Sequence, residues 1–210
     1  MTPARPARPA TEAGAPPFIG LTGSVAAGKS EALAALERLG AATLSSDAIV
    51  HELLGTERLR DVLVARWGDE VAPDGVVDRG LVGAIVFERP DELAWLEGVL
   101  HPLVGERVVA WFQGLPRDLP AAVVEVPLLF ETGLERIFDA TIAVVASEAT
   151  RTERAGARGT AALDERVSRQ LPQDEKASRA TYVVRNDGSL AELEEELGSL
   201  LTQVATGSAA

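Results

Sequence analysis

A glycine-bounded loop that ends in lysine and serine carries the strongest chemical signal in the sequence. Residues 23–30 read GSVAAGKS, which fits the pattern G-x-x-x-x-G-K-[ST]. The glycines let the backbone turn tightly and aim amide groups at phosphate oxygens, where the positive end of the following helix dipole also points. Lys29 would neutralise charge on the β- and γ-phosphates, and the Ser30 hydroxyl would be a ligand of Mg²⁺. The motif therefore predicts binding of a nucleoside triphosphate with Mg²⁺.

The elements around this loop favour that interpretation over a glycine-rich turn with a solvated lysine. An apolar run at 18–22 precedes the loop, and residues 31–40 (EALAALERLG) show helical spacing with Gly40 as the C-cap. The stretch ATLSS then predicts a second strand that leads to Asp47. A strand, loop, helix and strand in this order predict a parallel sheet with a right-handed crossover.

The rest of the chain continues an α/β pattern. Residues 48 to about 115 carry apolar positions at helical spacing and no convincing strand, which predicts a helical insertion. Near-continuous apolar runs at 121–130 and 139–146 are typical of parallel strands covered on both faces. The later predicted elements are a charged helical stretch at 148–178, a strand and turn at 181–188, and an amphipathic helix at 190–204.

Composition excludes several classes of function. The 210 residues carry a net charge of −12, which disfavours a general nucleic-acid role. The chain has no cysteine, which excludes disulfides and thiolate chemistry, and only two histidines. No apolar run reaches the length of a membrane-spanning helix, and the Pro/Ala-rich residues 1–17 lack the apolar middle of a secretory signal. We expect a cytoplasmic protein with no membrane partner, either a monomer or a weak homo-oligomer.

From Phe18 to about Val204, the sequence resembles the dephospho-CoA kinase family. The segments that carry the resemblance, in order, are IGLTGSVAAGKS, SSDAIVHELL, DGVVDRGLVGAIVF, LHPLV, VEVPLLFE, RTERAGAR and RVSRQLPQDEKASRATYVVRNDGSLAEL. The resemblance implies transfer of the ATP γ-phosphate to the ribose 3′-hydroxyl of dephospho-CoA, the last step of coenzyme A synthesis. It also implies an α/β, three-layer P-loop kinase fold with a central parallel sheet, a helical substrate-binding insertion and a helical lid.

The resemblance also implies a domain organisation. A disordered tail at 1–17 would precede one kinase-like domain at 18–206. Its core would comprise 18–47 and 121–206, with the helical insertion at about 48–118 and the lid at about 148–172.

The resemblance assigns site residues as well. Asp47, Lys29 and Arg154 would be catalytic, with Asp47 as general base. The residues expected to bind ATP are Gly23, Val25, Ala26, Ala27, Gly28, Lys29, Ser30, Glu31, Arg154, Arg158 and Asn186. The residues expected to bind the acceptor are Asp47, Arg79, His101 and Glu131.

Each assignment has a simpler structural alternative. Asp47 is also a favoured helix N-cap. Arg154 and Arg158, four residues apart, also suit a solvated, salt-bridged helix face. His101 would fix a helix end before Pro102. Glu131 would hydrogen-bond a loop, and Asn186 would belong to an ordinary Asn-Asp-Gly turn.

Several positions depart from the family pattern. Ser24 and Ala26 stand at family glycines, Glu31 stands where threonine is usual, Ser45 replaces an aspartate and His51 replaces an arginine. A carboxylate at position 31 would repel a phosphate unless it turned away or met a cation. These departures motivate one rival, a nucleotide-binding relative with little turnover. Another rival is a different small-molecule P-loop kinase, which the helical insertion followed by HP and VPLLFE disfavours. A GTPase is disfavoured because no NKxD-like motif is present.

Overall fold

A five-stranded parallel sheet forms the centre of the part of the chain that the structure describes. This computed structural model describes residues 14–156 and 169–206. The strands are β1 (Phe18–Gly23), β2 (Ala42–Ser45), β3 (Ala122–Glu125), β4 (Ala140–Val145) and β5 (Tyr182–Arg185). They lie in the order β2-β3-β1-β4-β5, and every neighbouring pair is parallel. The predicted parallel α/β fold is confirmed, and the strand that leads into the glycine loop lies in the middle of the sheet.

The helices follow the predicted order. They are α1 (Lys29–Arg38), α2 (Ser46–Leu54), α3 (Glu57–Trp67), α4 (Arg79–Glu88), α5 (Pro90–Gln113), α6 (Glu148–Gly156), α7 (Gln173–Arg179) and α8 (Leu190–Ala205). Short 3₁₀ turns lie at Asp69–Val71, Pro73–Gly75 and Leu134–Ile137. Gly40 follows the end of α1 with a φ of 90°, as predicted for a glycine after a helix. Among the described residues, no helix combines the length and the apolar character that crossing a lipid bilayer requires.

Two sequence predictions need correction. The strand predicted at 121–130 ends at Glu125, and residues 127–130 form a turn instead. Pro127 has no amide hydrogen to donate to the ladder, and the apolar run continues because Leu129 and Phe130 are buried in the turn. The helix predicted over 148–178 is interrupted before Gln173, where Pro172 is the N-cap of α7. Residues 157–168 lie outside the described part of the chain.

The described residues fall into two compact units, one of residues 46–111 and the other of residues 14–45 with 112–206. The first unit is described throughout and contains helices and turns without a strand. Within it, the Arg66 guanidinium donates two hydrogen bonds of 3.0 Å to the buried Glu92 carboxylate, and Trp67 Nε1 donates a third at 2.8 Å. These bonds join α3 to α5. The predicted domain bounds stay a prediction.

Apolar side chains cover both faces of the sheet in the second unit. On one face, Ile19 and Leu21 of β1 belong to a buried cluster with residues of α1 and α8. On the other face, the Phe18 ring lies 4.7 Å from the Phe112 ring and 4.5 Å from the Phe138 ring, measured between centroids. Burial on both faces explains the continuous apolar runs of the central strands.

A buried ion pair ties the end of β1 to α7. Lys176 is fully buried, and its Nζ donates to Glu131 Oε1 at 2.9 Å, to Pro127 O at 2.7 Å and to Thr22 Oγ1 at 3.5 Å. Glu131 Oε1 also accepts from the Leu171 amide at 2.8 Å. Burial lowers the pKa of Lys176, while the Glu131 carboxylate opposes that shift. Thr22 directly precedes the glycine loop, so this network holds the strand end from which the loop starts.

Replacing the buried lysine with an apolar residue of similar length tests the network. Lys176→Met leaves the Glu131 carboxylate buried without its cation, so we expect the free energy of unfolding to fall by about 3 kcal/mol. Urea denaturation followed by circular dichroism measures this change.

The matched control is Glu175→Ala on the same helix, which removes the exposed Glu175–Arg179 pair of 3.9 Å. We expect that change to cost less than about 1 kcal/mol. Equal costs for the two variants would show that the buried pair has no special role in stability.

Candidate active site

The backbone of the glycine loop is shaped by close approaches that only small residues permit. A Cβ at Gly23 would lie 2.5 Å from Val144 O of the neighbouring strand. Gly28, directly before α1, has a φ of 94°. Ala26 also has a positive φ, 61°, which costs a residue with a Cβ about 1–2 kcal/mol. The chain thus keeps the loop conformation even where it carries alanine at a family glycine.

Lys29 and Ser30 open α1 directly after the loop. The Lys29 side chain folds back over it, and Nζ donates to Gly23 O at 3.0 Å and to Ser24 O at 3.2 Å. Ser30 is exposed in the first turn of the helix. An ammonium, a hydroxyl and the first helical amides therefore lie at one end of α1, as phosphate binding requires.

Two polar side chains from distant parts of the chain converge on the loop. Asn186 Nδ2 donates to Ala27 O at 2.9 Å, and Arg154 Nη1 lies 3.5 Å from the same oxygen. Asn186 is buried and follows β5, whereas Arg154 is half-buried on α6. Both residues were predicted to bind ATP, and the structure brings them to the same carbonyl group. The alternatives, an Asn-Asp-Gly turn for Asn186 and a solvated, salt-bridged helix face for Arg154, do not by themselves predict these contacts, and the ATP-binding roles stay predictions.

Glu31 turns toward a cation. Its Oε1 accepts from Arg38 Nη2 at 3.3 Å, and Arg38 lies in the last turn of the same helix and also pairs with Glu194. Both members of the Glu31–Arg38 pair are about half exposed, so the pair adds little stability. Arg38 nevertheless offsets the negative charge of Glu31. That charge was one reason to consider a nucleotide-binding protein with little turnover as an alternative.

Asp47 and Arg79 belong to the helical unit. Asp47 is exposed in the first turn of α2, which already begins at Ser46, so the N-cap alternative is wrong. Arg79 is the first residue of α4, whose N-cap is Asp78. Arg79 Nη1 lies 2.9 Å from His51 Nδ1, and because a guanidinium only donates, the imidazole nitrogen accepts.

His101 and Glu131, the other two predicted acceptor residues, have different environments. His101 is half-buried within α5, which continues through Pro102, so its interpretation as a helix-end residue is wrong. Glu131 accepts from Lys176 and from the Leu171 amide, in line with the alternative that it holds a loop. Arg158 lies outside the described residues.

The sequence interpretation did not foresee the contacts of two polar side chains near the loop, Lys176 and Asp187. Lys176 lies in a segment that resembles the family, but neither the resemblance nor the residue pattern predicted a role for it. Asp187 was considered only as part of the Asn-Asp-Gly turn offered as an alternative for Asn186. Its Oδ1 accepts from the Ser147 amide at 2.6 Å and from Thr150 Oγ1 at 3.0 Å. Ser147 and Thr150, the two partners of Asp187, lie about 40 positions away in sequence. A local sequence pattern cannot predict a contact over that separation.

A sequence model of the dephospho-CoA kinase family matches residues 17–192. The chain belongs to the dephospho-CoA kinase family. The dephospho-CoA kinase of Synechococcus sp. (strain CC9902) is 38% identical over 189 residues, which cover 87% of this chain and 94% of that protein.

Two solved structures have a similar fold over most of the chain. The crystal structure of TT1252 from Thermus thermophilus has a TM-score of 0.77 and 34% identity, covering 90% of this chain and 98% of that one. Dephospho-CoA kinase from Campylobacter jejuni has a TM-score of 0.67 at 24% identity, over 90% of this chain and 98% of that one, and supports the P-loop kinase fold alone.

The close approach at Gly28 gives a direct test of the nucleotide site. A Cβ there would lie 1.9 Å from Asn186 Nδ2, and the residue would also hold an unfavourable φ. The added methyl group should displace the Asn186 amide or the loop backbone, so we expect Gly28→Ala to weaken ATP binding by about tenfold or more, which is about 1.4 kcal/mol. Isothermal titration calorimetry with ATP measures the change.

Gly98→Ala is the control, because a Cβ at Gly98 meets nothing within 4 Å and the position lies in α5. We expect its ATP affinity to equal that of the parent. If Gly28→Ala binds ATP as the parent does, the loop is not the nucleotide site.

Proposed function

We propose that this protein is an ATP-dependent kinase that transfers the γ-phosphate to the ribose 3′-hydroxyl of dephospho-CoA, the final step of coenzyme A synthesis. The observation that supports this proposal most strongly is that Arg154 and Asn186 both approach the carbonyl group of Ala27 in the glycine loop. A guanidinium, the Lys29 ammonium and the amides of one loop together suit the polyphosphate of ATP. Membership of the dephospho-CoA kinase family supports the acceptor.

Phosphoryl transfer needs positioning and charge neutralisation more than covalent help from the protein. The loop amides and Lys29 would hold the β- and γ-phosphates, and Arg154 would approach the transferring group from α6. Charged groups that are held in place before charge develops stabilise it with little reorganisation. The contacts of Lys29 and Arg154 with the loop support such a role for both side chains.

The residues fit Mg²⁺ bound together with ATP. Ser30 offers one hydroxyl oxygen at the start of α1, and the described residues contain no cluster of three acidic or histidine side chains that would form a separate metal cage. Mg²⁺ at phosphates commonly takes one or two protein oxygens and completes its shell with water and phosphate. When bound, the ion would neutralise phosphate charge.

Asp47 is the proposed general base. It comes two residues after Ser45, the last residue of β2, and ligands of open α/β sheets bind beyond the carboxyl ends of the strands. The ribose hydroxyl oxygen would bond to the γ-phosphorus as the bond to the ADP oxygen breaks, and the Asp47 carboxylate would accept the hydroxyl proton.

The acceptor residues proposed in the helical unit are Arg79 and His101, with Glu131 in the other unit. Arg79 has the clearest chemistry, because dephospho-CoA carries a diphosphate and a guanidinium binds phosphate with two parallel hydrogen bonds. A cytoplasmic location, a monomeric or weakly associated state and the absence of nucleic-acid and membrane partners stay predictions.

Turnover with the proposed substrates is the first test. Purified protein with Mg-ATP and dephospho-CoA should form coenzyme A, detected by mass spectrometry. Asp47→Asn keeps the shape but removes the base, so kcat should fall by about 10²- to 10⁴-fold. The KM for ATP should stay close to that of the parent.

Asp61→Asn, at an exposed position on α3 of the same unit, is the control and should leave kcat unchanged. Parent-like turnover by Asp47→Asn would remove Asp47 as the base. ATP binding without coenzyme A formation by the parent would refute the acceptor assignment.

The role of Arg79 makes a separate prediction. Arg79→Ala should raise the KM for dephospho-CoA by about ten- to a hundredfold, the loss expected for hydrogen bonds to a charged group. The KM for ATP should not change, because Arg79 belongs to the acceptor side. Steady-state kinetics with each substrate varied in turn separates the two constants.

Arg58→Ala, an exposed arginine on α3, controls for general loss of positive charge and should change neither constant. An Arg79→Ala enzyme with a parent-like KM for dephospho-CoA would exclude Arg79 from acceptor binding.

A further inference from the structure

Asp187 links the turn that carries Asn186 to the helix that carries Arg154, and both of these side chains approach the glycine loop. Its sequence neighbour Asn186 bonds Ala27 O through Nδ2, and the Asn186 backbone amide donates to Val145 O at 2.8 Å. The turn after β5 is therefore fixed to the loop on one side and to the end of β4 on the other.

The Asp187 carboxylate points the other way, to the start of α6. Oδ1 accepts from the Ser147 amide at 2.6 Å and from the Thr150 hydroxyl at 3.0 Å. Ser147 in turn caps the helix, since its Oγ accepts from the Thr150 amide at 3.2 Å. These hydrogen bonds, the Ser147 amide first, hold the pKa of Asp187 below its usual range.

Together, these hydrogen bonds and the intervening backbone form a closed path that begins and ends at Ala27 O. From Ala27 O the path passes through Asn186 to Asp187, then through Ser147 and along α6 to Arg154, whose Nη1 lies 3.5 Å from Ala27 O. Arg154 lies two turns along α6 from the helix start, so a shift at Ser147 moves the guanidinium. A carboxylate at this end of the helix also interacts favourably with the helix dipole.

We propose that Asp187 is a positioning residue for phosphoryl transfer, which fixes the start of α6 so that Arg154 reaches the phosphates at the glycine loop. This inference rests on the proposed function of the same site. In this role Asp187 would act without touching ATP or the acceptor, since its described hydrogen bonds are to Ser147 and Thr150. Its contribution passes through Arg154, which distinguishes it from an ordinary helix cap that contributes only to stability.

A double-mutant cycle on kcat separates these roles. Asp187→Ala should lower kcat by about ten- to a hundredfold, the loss expected when a catalytic group is misplaced by about 1 Å. In an Arg154→Ala background, the same change should lower kcat by less than about twofold, because no guanidinium is left to misplace. Asp187→Asn keeps an oxygen acceptor for Ser147 and should recover most of the parent rate.

Glu192→Ala is the matched control. Glu192 lies five residues away and completes the capping box of α8 with Ser189, so its loss also removes a helix cap. We expect its cost in stability to be about 1 kcal/mol, with kcat unchanged in both backgrounds. Glu192 contacts neither the glycine loop nor α6 through any of its described hydrogen bonds.

Hydrogen exchange provides a readout that needs no acceptor. In Asp187→Ala, amides at the start of α6 should exchange faster, while Glu192→Ala should leave them unchanged. Unchanged exchange in Asp187→Ala would overturn the inference whatever the acceptor.

Equal effects of Asp187→Ala with and without Arg154 would also overturn it, even if the parent forms coenzyme A and the proposed function stands. A parent-like kcat for Arg154→Ala would refute both this inference and the role of Arg154. If the parent forms no coenzyme A, the proposed function is refuted. The exchange experiment then still tests whether Asp187 anchors the start of α6.

Discussion

The carbonyl group of Ala27 is the point on which the nucleotide site depends. Asn186 donates to it directly, and the Arg154 guanidinium approaches the same oxygen. This approach is possible only because Gly28 carries no side chain, since a Cβ there would overlap the Asn186 amide. The loop, the turn after β5 and helix α6 thus share one contact, and the absence of a single methyl group permits all three to meet.

A buried charged network holds the end of β1 that leads into the loop. Lys176 has three acceptors for its three N–H donors, so its burial is compensated by hydrogen bonds as well as by the Glu131 charge. Two residues at the loop depart from the family pattern. Ala26 has a positive φ that is unfavourable for a residue with a Cβ, and the Glu31 carboxylate pairs with Arg38 of the same helix. With both departures present, the loop still meets Asn186 and Arg154 from other elements and Lys29 from the start of α1.

Local sequence determined the order and type of the elements. The run from Phe18 through the glycine loop into α1 predicted the central strand and the phosphate site, because strand, glycine turn and helix are each encoded within a few residues. The helical character predicted for residues 48 to about 115 followed from apolar spacing in the same way. The strand predicted at 121–130 was too long, since an apolar run reports burial and cannot distinguish a strand from a buried turn such as 127–130.

The sequence alone thus determined the family, the phosphate loop and the candidate residues, for which spacing and resemblance sufficed. Only the tertiary structure decided which of them meet. Asn186 lies 159 positions from Ala27, and the partners of Asp187 and Lys176 lie about 40 or more positions away. Such contacts depend on sheet order, which places β1 beside β4 and β4 beside β5. Side-chain types can suggest a charge or a hydrogen bond, but the packing of distant strands and helices selects its partner.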